Sequence, residues 1–314
     1  MRSSEYYLGI DLGGTHIRSV VARDDFAVPR IIGRDERATP RSGADDIVRA
    51  IAESTRTSLA AVGASLHEVA AVACSAPGPL DHRSGIVHEA PNVVGFIDFP
   101  LGSRLAEALG LEAIYLDRDT IMAAVGEAVA GAAQGARNFI YVTISTGIGG
   151  AIVIDGRLLR GAANTAGEIG HFPVALEGPR CGCGSYGCVE SLAAGRFVAE
   201  AFGVDDAAQV YAAAAAQVEA AEWIVTRAER ALGNLAIGLA NALSPALIVV
   251  GGSVAEHEPS HTLEPMRRAI AERAFKVAAA AVTIVPAALG RDVGMLGAVI
   301  YARERVAGRD AWFR

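Results

Sequence analysis

The stretch that decides the fold reads Tyr6-Tyr7-Leu8-Gly9-Ile10-Asp11-Leu12-Gly13-Gly14-Thr15-His16. An apolar run of strand type enters a turn rich in glycine, and a second apolar run, residues 17–22, leaves it. A similar passage reads Phe139-Ile140-Tyr141-Val142-Thr143-Ile144-Ser145-Thr146-Gly147-Ile148-Gly149-Gly150 and continues into residues 151–154. Each passage predicts a β-hairpin whose turn carries glycines and hydroxyl groups. The sequence thus contains two segments of the same design.

Helix and strand patterns alternate after each hairpin. Residues 44–61 show the periodicity of a helix, and residues 69–74 form a short apolar run typical of a buried strand. This alternation predicts an α/β protein whose sheets are largely covered by helices. Because each half opens with a glycine-rich hairpin, we expect two related domains that face a shared cleft.

The two hairpin turns are candidate phosphate-binding sites. Glycine lets the backbone approach a ligand closely and adopt positive φ, so successive N–H groups can converge on an anion. The residues predicted to bind phosphate are Gly13, Gly14, Thr15, Thr146 and Gly147. Asp11, at the end of the first strand, is a candidate carboxylate for Mg²⁺. For either turn alone, a plain tight hairpin is the alternative, since Gly-Gly is a common solution there.

A third glycine-rich turn follows a long helix pattern at residues 219–243. The apolar run 247–250 leads directly into Gly251 and Gly252. A strand that ends in Gly-Gly at the mouth of a cleft can accept the base and ribose of a nucleotide. An ordinary strand-to-helix turn is the alternative.

A cluster of metal-ligand residues lies between the second and third turns. His171, Cys181, Cys183 and Cys188 fall within eighteen residues, and the chain has only one other cysteine, Cys74. Thiolates and an imidazole are the ligand set that suits tetrahedral zinc, and four protein ligands would make a closed structural site. Free structural thiols and a redox role are the alternatives. The flanking carboxylates, Glu168 and Glu190, would be fixed by the metal and could bind a polyhydroxyl ligand.

Composition excludes several classes of partner. The chain has 314 residues and a formal net charge of −7, so bulk electrostatics favour neither nucleic acid nor an anionic membrane. The first residues lead straight into a strand with no apolar signal segment, so we expect a cytoplasmic protein. The alanine-rich residues 207–221 include charged and amide side chains, which predicts a helix in water and not a membrane span.

Taken in order, these motifs resemble those of ROK-family sugar kinases (repressor, open reading frame and kinase). The resemblance covers residues 6 to about 300 and rests on Asp11-Leu12-Gly13-Gly14-Thr15, Ser75-Ala76-Pro77-Gly78-Pro79, Ala90-Pro91-Asn92, Gly126-Glu127, Thr146-Gly147-Ile148-Gly149-Gly150, Glu168-Ile169-Gly170-His171, the cysteine loop and Val250-Gly251-Gly252. It implies an actin-like, hexokinase-type (ribonuclease H-like) two-domain ATPase fold. We place a small N-terminal α/β domain at residues 1–118 plus 299–314, and a large α/β domain with the zinc loop at 119–298.

The resemblance also assigns roles to individual residues. Asp119, eight residues before Glu127, matches the catalytic aspartate of similar kinases. Positions that match family contacts to the sugar, or lie beside them, are Gly78, Asn92, Arg118, Asp119, Glu168, His171 and Glu190. His171 would also bind zinc. The implied partners are ATP with Mg²⁺, a small-molecule sugar, structural Zn²⁺ and a second copy of the chain in a homodimer.

The chain departs from the family pattern around Asp119. The family usually has asparagine where this chain has Arg118 and Ile121, lysine in place of His16, and glycine in place of Ser145. Two positions are open to Arg118: its side chain folds onto Asp117 or Glu127, or it points into the cleft and favours a sugar rich in acceptors.

The predicted activity is ATP-dependent transfer of a phosphoryl group to a hexose hydroxyl, most simply glucose to glucose 6-phosphate, with Asp119 as general base. Alternative substrates are fructose, mannose, allose, N-acetylmannosamine and N-acetylglucosamine. A sugar-binding protein without catalysis is a further alternative. Some family members are repressors with an added DNA-binding module, but the first turn at residue 11 and the acidic charge argue against that role here.

Overall fold

The computed structural model describes residues 6–23, 28–90 and 93–308. The chain forms two compact units. The first unit comprises Met1–Gln134, Gly161–Thr165 and Arg291–Arg314, and the second comprises Gly135–Arg160 and Ala166–Gly290.

The strands of the described residues are numbered in chain order. They are β1 (Tyr6–Leu12), β2 (His16–Arg23), β3 (Arg30–Ala38), β4 (Val69–Ala76), β5 (Leu80–Asp81), β6 (Ile86–Glu89), β7 (Ile97–Phe99), β8 (Tyr115–Arg118), β9 (Phe139–Ile144), β10 (Ile148–Ile154), β11 (Arg157–Leu158), β12 (Leu247–Gly251) and β13 (Thr283–Pro286).

The α-helices of the described residues are numbered in the same way. They are α1 (Ala44–Ala60), α2 (Leu101–Leu109), α3 (Asp119–Ala130), α4 (Val189–Ala193), α5 (Gly195–Phe202), α6 (Ala207–Ala215), α7 (Glu219–Leu243), α8 (Ser253–His257), α9 (Pro259–Arg273), α10 (Lys276–Ala281) and α11 (Val293–Val306).

Each unit is built on a five-stranded sheet of the same topology. The first sheet has the order β3-β2-β1-β4-β8, and the second has the order β11-β10-β9-β12-β13. In both, a run of three antiparallel strands is followed by two strands parallel to the third. Both predicted hairpins are therefore confirmed, β1–β2 in the first unit and β9–β10 in the second. A small sheet, β5-β6-β7, completes the first unit.

The first sheet is covered on both faces. Leu8, Ile10 and Leu12 of β1 are buried in one core together with apolar residues of α1. On the other face, α11 lies close to β1 at Gly9, where an added Cβ would stand 2.9 Å from Cγ2 of Val299. Glycine at this position allows the close approach, and cover on both faces explains why β1 is apolar up to Ile10.

The second unit packs its helices around α7. Leu232, Leu235 and Leu239 of this helix are buried with the apolar residues of β9 and β12 in one cluster. The predicted helix at 219–243 and the predicted strand at 247–250 are confirmed by α7 and β12. The sheet edge that carries the glycine turns is thereby held on a continuous core.

The compact units divide the chain differently from the predicted boundaries at 118/119 and 298/299. Both α3 and the whole of α11 belong to the first unit. These helices pack so closely that a side chain at Gly297 would collide with the carbonyl oxygen of Met122. The sequence motif at Asp119 marks the end of a strand and the start of a helix, and it is not a boundary between the units.

The alanine-rich stretch 207–221 is not one helix, so that prediction is wrong. Helix α6 ends at Ala215 and α7 begins at Glu219. Between them Gln217 takes a left-handed backbone conformation, φ 62°, and the N–H of Val218 returns to the carbonyl of Ala213 at 3.0 Å. None of the helices in the described residues has the length and apolar character needed to cross a bilayer.

Candidate active site

Polar residues collect at the carboxyl edge of the first sheet. Asp11, the second-last residue of β1, lies opposite Ser75 of β4, and Ser75 in turn lies opposite Asp117 of β8. The strands are parallel, so the residues that follow β4 and β8 continue from the same edge. Of the predicted residues, Gly78 follows β4, Arg118 is the last residue of β8, and Asp119 follows it.

Asp119 is the first residue of α3 and is exposed. Its Oδ1 accepts a hydrogen bond from the N–H of Thr120 at 2.7 Å. Asp117, two residues earlier, is fully buried; its carboxylate accepts hydrogen bonds from the N–H of Arg118 and the hydroxyl of Tyr301, both at 2.9 Å. The bend from β8 into α3 is thus fixed from within the unit, and Asp119 emerges at the start of the helix, where the dipole favours an anion.

The side chain of Arg118 is buried, with only 3% of its surface exposed. Its Cγ and Cδ would each lie 3.1 Å from a Cβ added at Gly78. Glycine at position 78 therefore gives room for the arginine stem. A side chain at position 78 would crowd Arg118, so the buried position of Arg118 depends on glycine at position 78.

The first glycine turn, residues 13–15, joins β1 to β2. The N–H of Gly13 donates to the carbonyl of His16 at 2.9 Å, which closes the turn. Thr15 is exposed, and Gly13 and Gly14 are half-buried. Thr39, a residue outside the predicted set, donates hydrogen bonds to two carbonyls of this turn. No local sequence signal marks Thr39, because a threonine after a strand is common.

Asp11 lies just before that turn in a low-dielectric position. Burial raises the pKa of its carboxyl above the ordinary value, although the hydroxyl of Ser75 and the guanidinium of Arg18 act in the opposite direction. The Ser75 hydroxyl donates to Oδ1 at 3.1 Å, and Nη1 of Arg18 lies 3.5 Å from Oδ2. Arg18 is shared with Glu36, whose Oε1 lies 3.4 Å from its Nε. Arg18 thus faces two carboxylates, and Asp11 stays the predicted carboxylate for Mg²⁺.

The second and third glycine turns lie side by side in the second unit. Gly251 at the end of β12 lies opposite Thr143 of β9, directly before the turn at residues 145–147. The hydroxyls of Ser145 and Ser253 are hydrogen-bonded at 2.9 Å. Gly252 has φ 95° and packs so closely on β9 that an added Cβ would stand 2.7 Å from Oγ1 of Thr143. The structure therefore brings Thr146 and Gly147 together with Gly251 and Gly252.

The four predicted metal ligands also come together. One ligand atom from each of His171, Cys181, Cys183 and Cys188 lies within 4.8 Å of all the others. Sγ of Cys183 and Sγ of Cys188 are 3.8 Å apart, and Sγ of Cys181 lies 3.5 Å from Nδ1 of His171. Tetrahedral zinc with ordinary bond lengths separates its sulfur and nitrogen ligands by about 3.6–3.8 Å. The residues fit zinc.

The pKa values of the thiols also favour a bound cation. Burial, together with the neighbouring thiols, raises the pKa of Cys188 to about 12. Burial also raises the pKa of Cys181, whereas the backbone N–H of Ser185 lowers the pKa of Cys183. A cation is what allows three such sulfurs to be thiolates side by side at neutral pH.

Two carboxylates lie beside the predicted metal ligands. Oε2 of Glu168 lies 4.0 Å from Nε2 of His171, the ring nitrogen on the side away from the cysteine cluster. The segment 167–170 lies directly on β10, because a Cβ at Gly167 would stand 2.6 Å from the carbonyl oxygen of Gly150. Glu190 lies in the first turn of α4, whose N-cap is the ligand Cys188. Glu168 and Glu190 thus flank the predicted metal ligands, and the segment that carries Glu168 contacts β10.

The predicted site residues are divided between the units. The first unit contains Asp11, Gly13, Gly14, Thr15, Gly78, Arg118 and Asp119. The second contains Thr146, Gly147, Glu168, His171, Cys181, Cys183, Cys188, Glu190, Gly251 and Gly252. Asn92, predicted to contact the sugar, lies outside the described residues.

A model of the ROK family matches residues 7–305. The chain belongs to the ROK family. A glucokinase from Halalkalibacterium halodurans is 32% identical over 94% of this chain and 94% of its own length. An N-acetylmannosamine kinase from Citrobacter koseri is also 32% identical, over 94% of this chain and 98% of its own. The resemblance expected from the motifs is confirmed.

A solved ROK structure gives the same answer for the fold. The ROK-family glucokinase from Streptomyces griseus, in complex with glucose and AMPPNP, superimposes with a TM-score of 0.78 at 29% identity, and the match covers 95% of this chain and 99% of that one. The predicted hexokinase-type fold is therefore confirmed for this ROK protein.

Proposed function

We propose that this ROK protein is an ATP-dependent sugar kinase whose preferred acceptor is glucose. Its relatives support phosphorylation of a sugar by ATP, since they include a glucokinase and a glucokinase complex with glucose and a nucleotide analogue. The observation that carries the proposal is the edge of the first sheet, where an exposed carboxylate, Asp119, begins a helix beyond Asp11 and the first glycine turn. One edge of this sheet then carries both a base that can take the proton of a sugar hydroxyl and backbone donors that can bind phosphate.

The second unit supplies the remaining nucleotide contacts in this proposal. Thr146 and Gly147 bind phosphate oxygens through hydroxyl and N–H groups, and Gly251 and Gly252 offer a flat backbone surface to the adenosine. Asp11 is the carboxylate that would hold Mg²⁺, which when bound neutralises charge on the phosphate oxygens. Such an arrangement positions the phosphates and stabilises their charge, and this is most of what phosphoryl transfer requires from a protein.

The acceptor hydroxyl must lose its proton as it attacks. Asp119 accepts that proton as general base, helped by the direct solvent access of its carboxylate and by its position at the start of α3. Glu168, His171 and Glu190 bind the other hydroxyls of the sugar. Their rigid attachment to the metal cluster supports this role, because preorganised polar groups bind a polyhydroxyl ligand at a lower entropic cost. Zinc then has a structural part and no part in the chemistry.

A second substrate has specific support. The N-acetylmannosamine kinase relative is as similar to this chain as the glucokinase relative, with 32% identity for both. N-acetylmannosamine is therefore the strongest competitor to glucose. Mannose, fructose, allose and N-acetylglucosamine complete the panel of acceptors to be compared.

A coupled assay of ADP release across this panel tests the proposal. Purified protein is supplied with ATP and Mg²⁺, and kcat/KM is measured for each sugar. We expect the highest value for glucose. A higher value for N-acetylmannosamine would overturn the choice of glucose, and binding of glucose without ADP release for any sugar would overturn the kinase itself.

We further propose that the protein works in the cytoplasm as a homodimer. Light scattering of the purified protein at several concentrations measures its mass directly. A mass of one chain at all concentrations would contradict the dimer.

A further inference from the structure

The first glycine turn is tied to the residue that follows β3. The hydroxyl of Thr39 donates to the carbonyl of Gly13 at 2.7 Å, and the N–H of Thr39 donates to the carbonyl of Thr15 at 2.8 Å. His16, the first residue of β2, lies opposite Ala38 of β3. Thr39 therefore continues the pairing one residue beyond the start of β2. One residue thus holds the turn on both of its sides.

These two bonds determine where the N–H groups of the turn point. In a trans peptide unit, the C=O and the N–H project in opposite directions. The carbonyl of Gly13 shares its unit with the N–H of Gly14, and the carbonyl of Thr15 shares its unit with the N–H of His16. When Thr39 binds both carbonyls, both N–H groups are aimed at the opposite side of the turn. N–H groups directed together in this way form an anion-binding concavity.

Thr39 acts through the turn and does not face the ligand side. It is only 8% exposed, whereas Thr15 and His16 at the tip of the turn are exposed. Its hydroxyl is already committed to the carbonyl of Gly13. We propose that Thr39 is a positioning residue for ATP: it orients the N–H groups of Gly14 and His16 toward the phosphates. This role rests on the proposed kinase function, because it requires the turn to bind ATP.

Two variants separate the hydrogen bond from the packing of the side chain. Thr39→Val keeps the shape of threonine and removes the hydroxyl, whereas Thr39→Ser keeps the hydroxyl and removes the methyl group. A positioning role predicts that Thr39→Val weakens AMPPNP binding by about 5- to 30-fold and lowers kcat/KM for ATP to the same degree, the cost of one buried hydrogen bond. Thr39→Ser should stay within about twofold of the wild type, and KM for the sugar should change in neither.

Thr55→Val is the matched control. Thr55 is fully buried in the same unit, and its hydroxyl donates to the carbonyl of Ile51 at 2.9 Å within α1. This variant also loses one buried hydroxyl, so it reports any general effect of such a loss on the unit. We expect its melting temperature to fall while its affinity for AMPPNP is unchanged.

The reverse order of the two variants would overturn the role. If Thr39→Val binds AMPPNP like the wild type and Thr39→Ser binds it more weakly, the methyl group matters and the hydroxyl does not. If Thr39→Val does not fold, Thr39→Ala takes its place, and wild-type affinity in Thr39→Ala would likewise contradict the proposal.

The outcome that would overturn the proposed kinase function differs from the outcome that would overturn the role of Thr39. A wild-type protein that binds AMPPNP but releases no ADP with any sugar would overturn the kinase and leave the role of Thr39 intact. A wild-type protein that phosphorylates sugar, together with a Thr39→Val variant of undiminished affinity, would overturn the role of Thr39 alone.

Discussion

The carboxylate of Glu190 accepts a hydrogen bond from the backbone N–H of Ile148, with 3.1 Å between Oε2 and the nitrogen. Ile148 directly follows the turn that carries Thr146 and Gly147, and Glu190 follows the predicted metal ligand Cys188 by two residues. A Cβ added at Gly147 would stand 3.0 Å from the same oxygen. The carboxylate therefore joins the loop of predicted metal ligands to the second glycine turn, and the missing side chain at Gly147 gives it room to do so.

Two substitutions of Glu190 should separate its hydrogen bond to the second glycine turn from its proposed contact with the sugar. In Glu190→Gln the amide oxygen can still accept from Ile148, so we expect KM for ATP within about twofold of the wild type. Loss of the negative charge should raise KM for the sugar by about 10- to 100-fold, the usual value of a hydrogen bond to a charged group. Glu190→Ala, the control that removes both interactions, should raise KM for ATP as well. Equal effects of the two variants on ATP would refute this division.

Replacement of Asp119 tests the general base. Asp119→Asn keeps the size of the side chain and removes its basicity, so we expect turnover to fall by about 10²- to 10⁴-fold with little change in sugar affinity. Asp205→Asn, at an exposed position in the second unit, is the control for loss of one surface charge. Turnover close to normal in Asp119→Asn would show that another group takes the proton.

Metal analysis tests the zinc cluster. We expect about one zinc per chain in the purified protein, because four ligands with the right separations form one closed site. Cys183→Ser should lose both the metal and the affinity for sugar, since Glu168 and Glu190 would no longer be held. Cys74→Ala removes the one cysteine outside the cluster and should retain the zinc. An active protein without metal would reduce the cysteines to structural thiols.

Asp11 should contribute to activity at the expense of stability. Burial raises the pKa of its carboxyl, so the folded state binds this proton more tightly than the unfolded state does. Stability from this group is therefore complete below the ordinary pKa of 3.8 and is lost as the pH rises through the folded value. At pH 7 the variant Asp11→Asn should melt at a higher temperature than the wild type, and the difference should shrink near pH 3. Arg18 keeps Glu36 as a partner in this variant.

Asp46→Asn is the control for Asp11→Asn, because the pKa of Asp46 is shifted in the opposite direction. A hydrogen bond from Ser42, followed by the charge of Arg49, lowers the pKa of Asp46. Asp46→Asn should therefore leave the melting temperature at pH 7 unchanged or lower it slightly. A fall in melting temperature for Asp11→Asn at pH 7, measured by calorimetry alongside kcat, would contradict the assignment of Asp11 as a costly buried charge.

Substitution of Arg118 tests whether this residue determines sugar specificity. Its side chain is buried against Gly78, so we expect Arg118→Asn to leave the ranking of the sugars unchanged. The new amide can bind a sugar hydroxyl, which should lower KM for the preferred hexose by about two- to tenfold. Arg118→Met, similar in length but without charge or donors, serves as the control and should not lower KM. A reversed ranking in the sugar assay would mean that Arg118 selects the substrate directly.

Local patterns were enough to predict the hairpins and the metal cluster. The glycine turns occupy a few consecutive residues, and the four ligands of the cluster fall within one short loop, so spacing alone carries most of the information.

Features that depend on distant contacts could not be predicted. Thr39 holds carbonyls twenty-four and twenty-six positions away, and nothing beside it in the sequence indicates this. The break at Gln217 has no glycine or proline to mark it, since it is set by how α6 and α7 pack. The membership of α3 and α11 in one unit likewise depends on the contact between Gly297 and Met122.

The position of α11 has a consequence for synthesis on the ribosome. This helix covers one face of β1, yet most of the second unit is synthesised between the two. The second unit, residues 135–160 and 166–290, is already complete in the nascent chain while β1 still exposes the face that α11 will cover. The first unit, which carries Asp119, therefore keeps this apolar face of its sheet exposed until α11 has been made, and it is during this interval that a chaperone would be most needed.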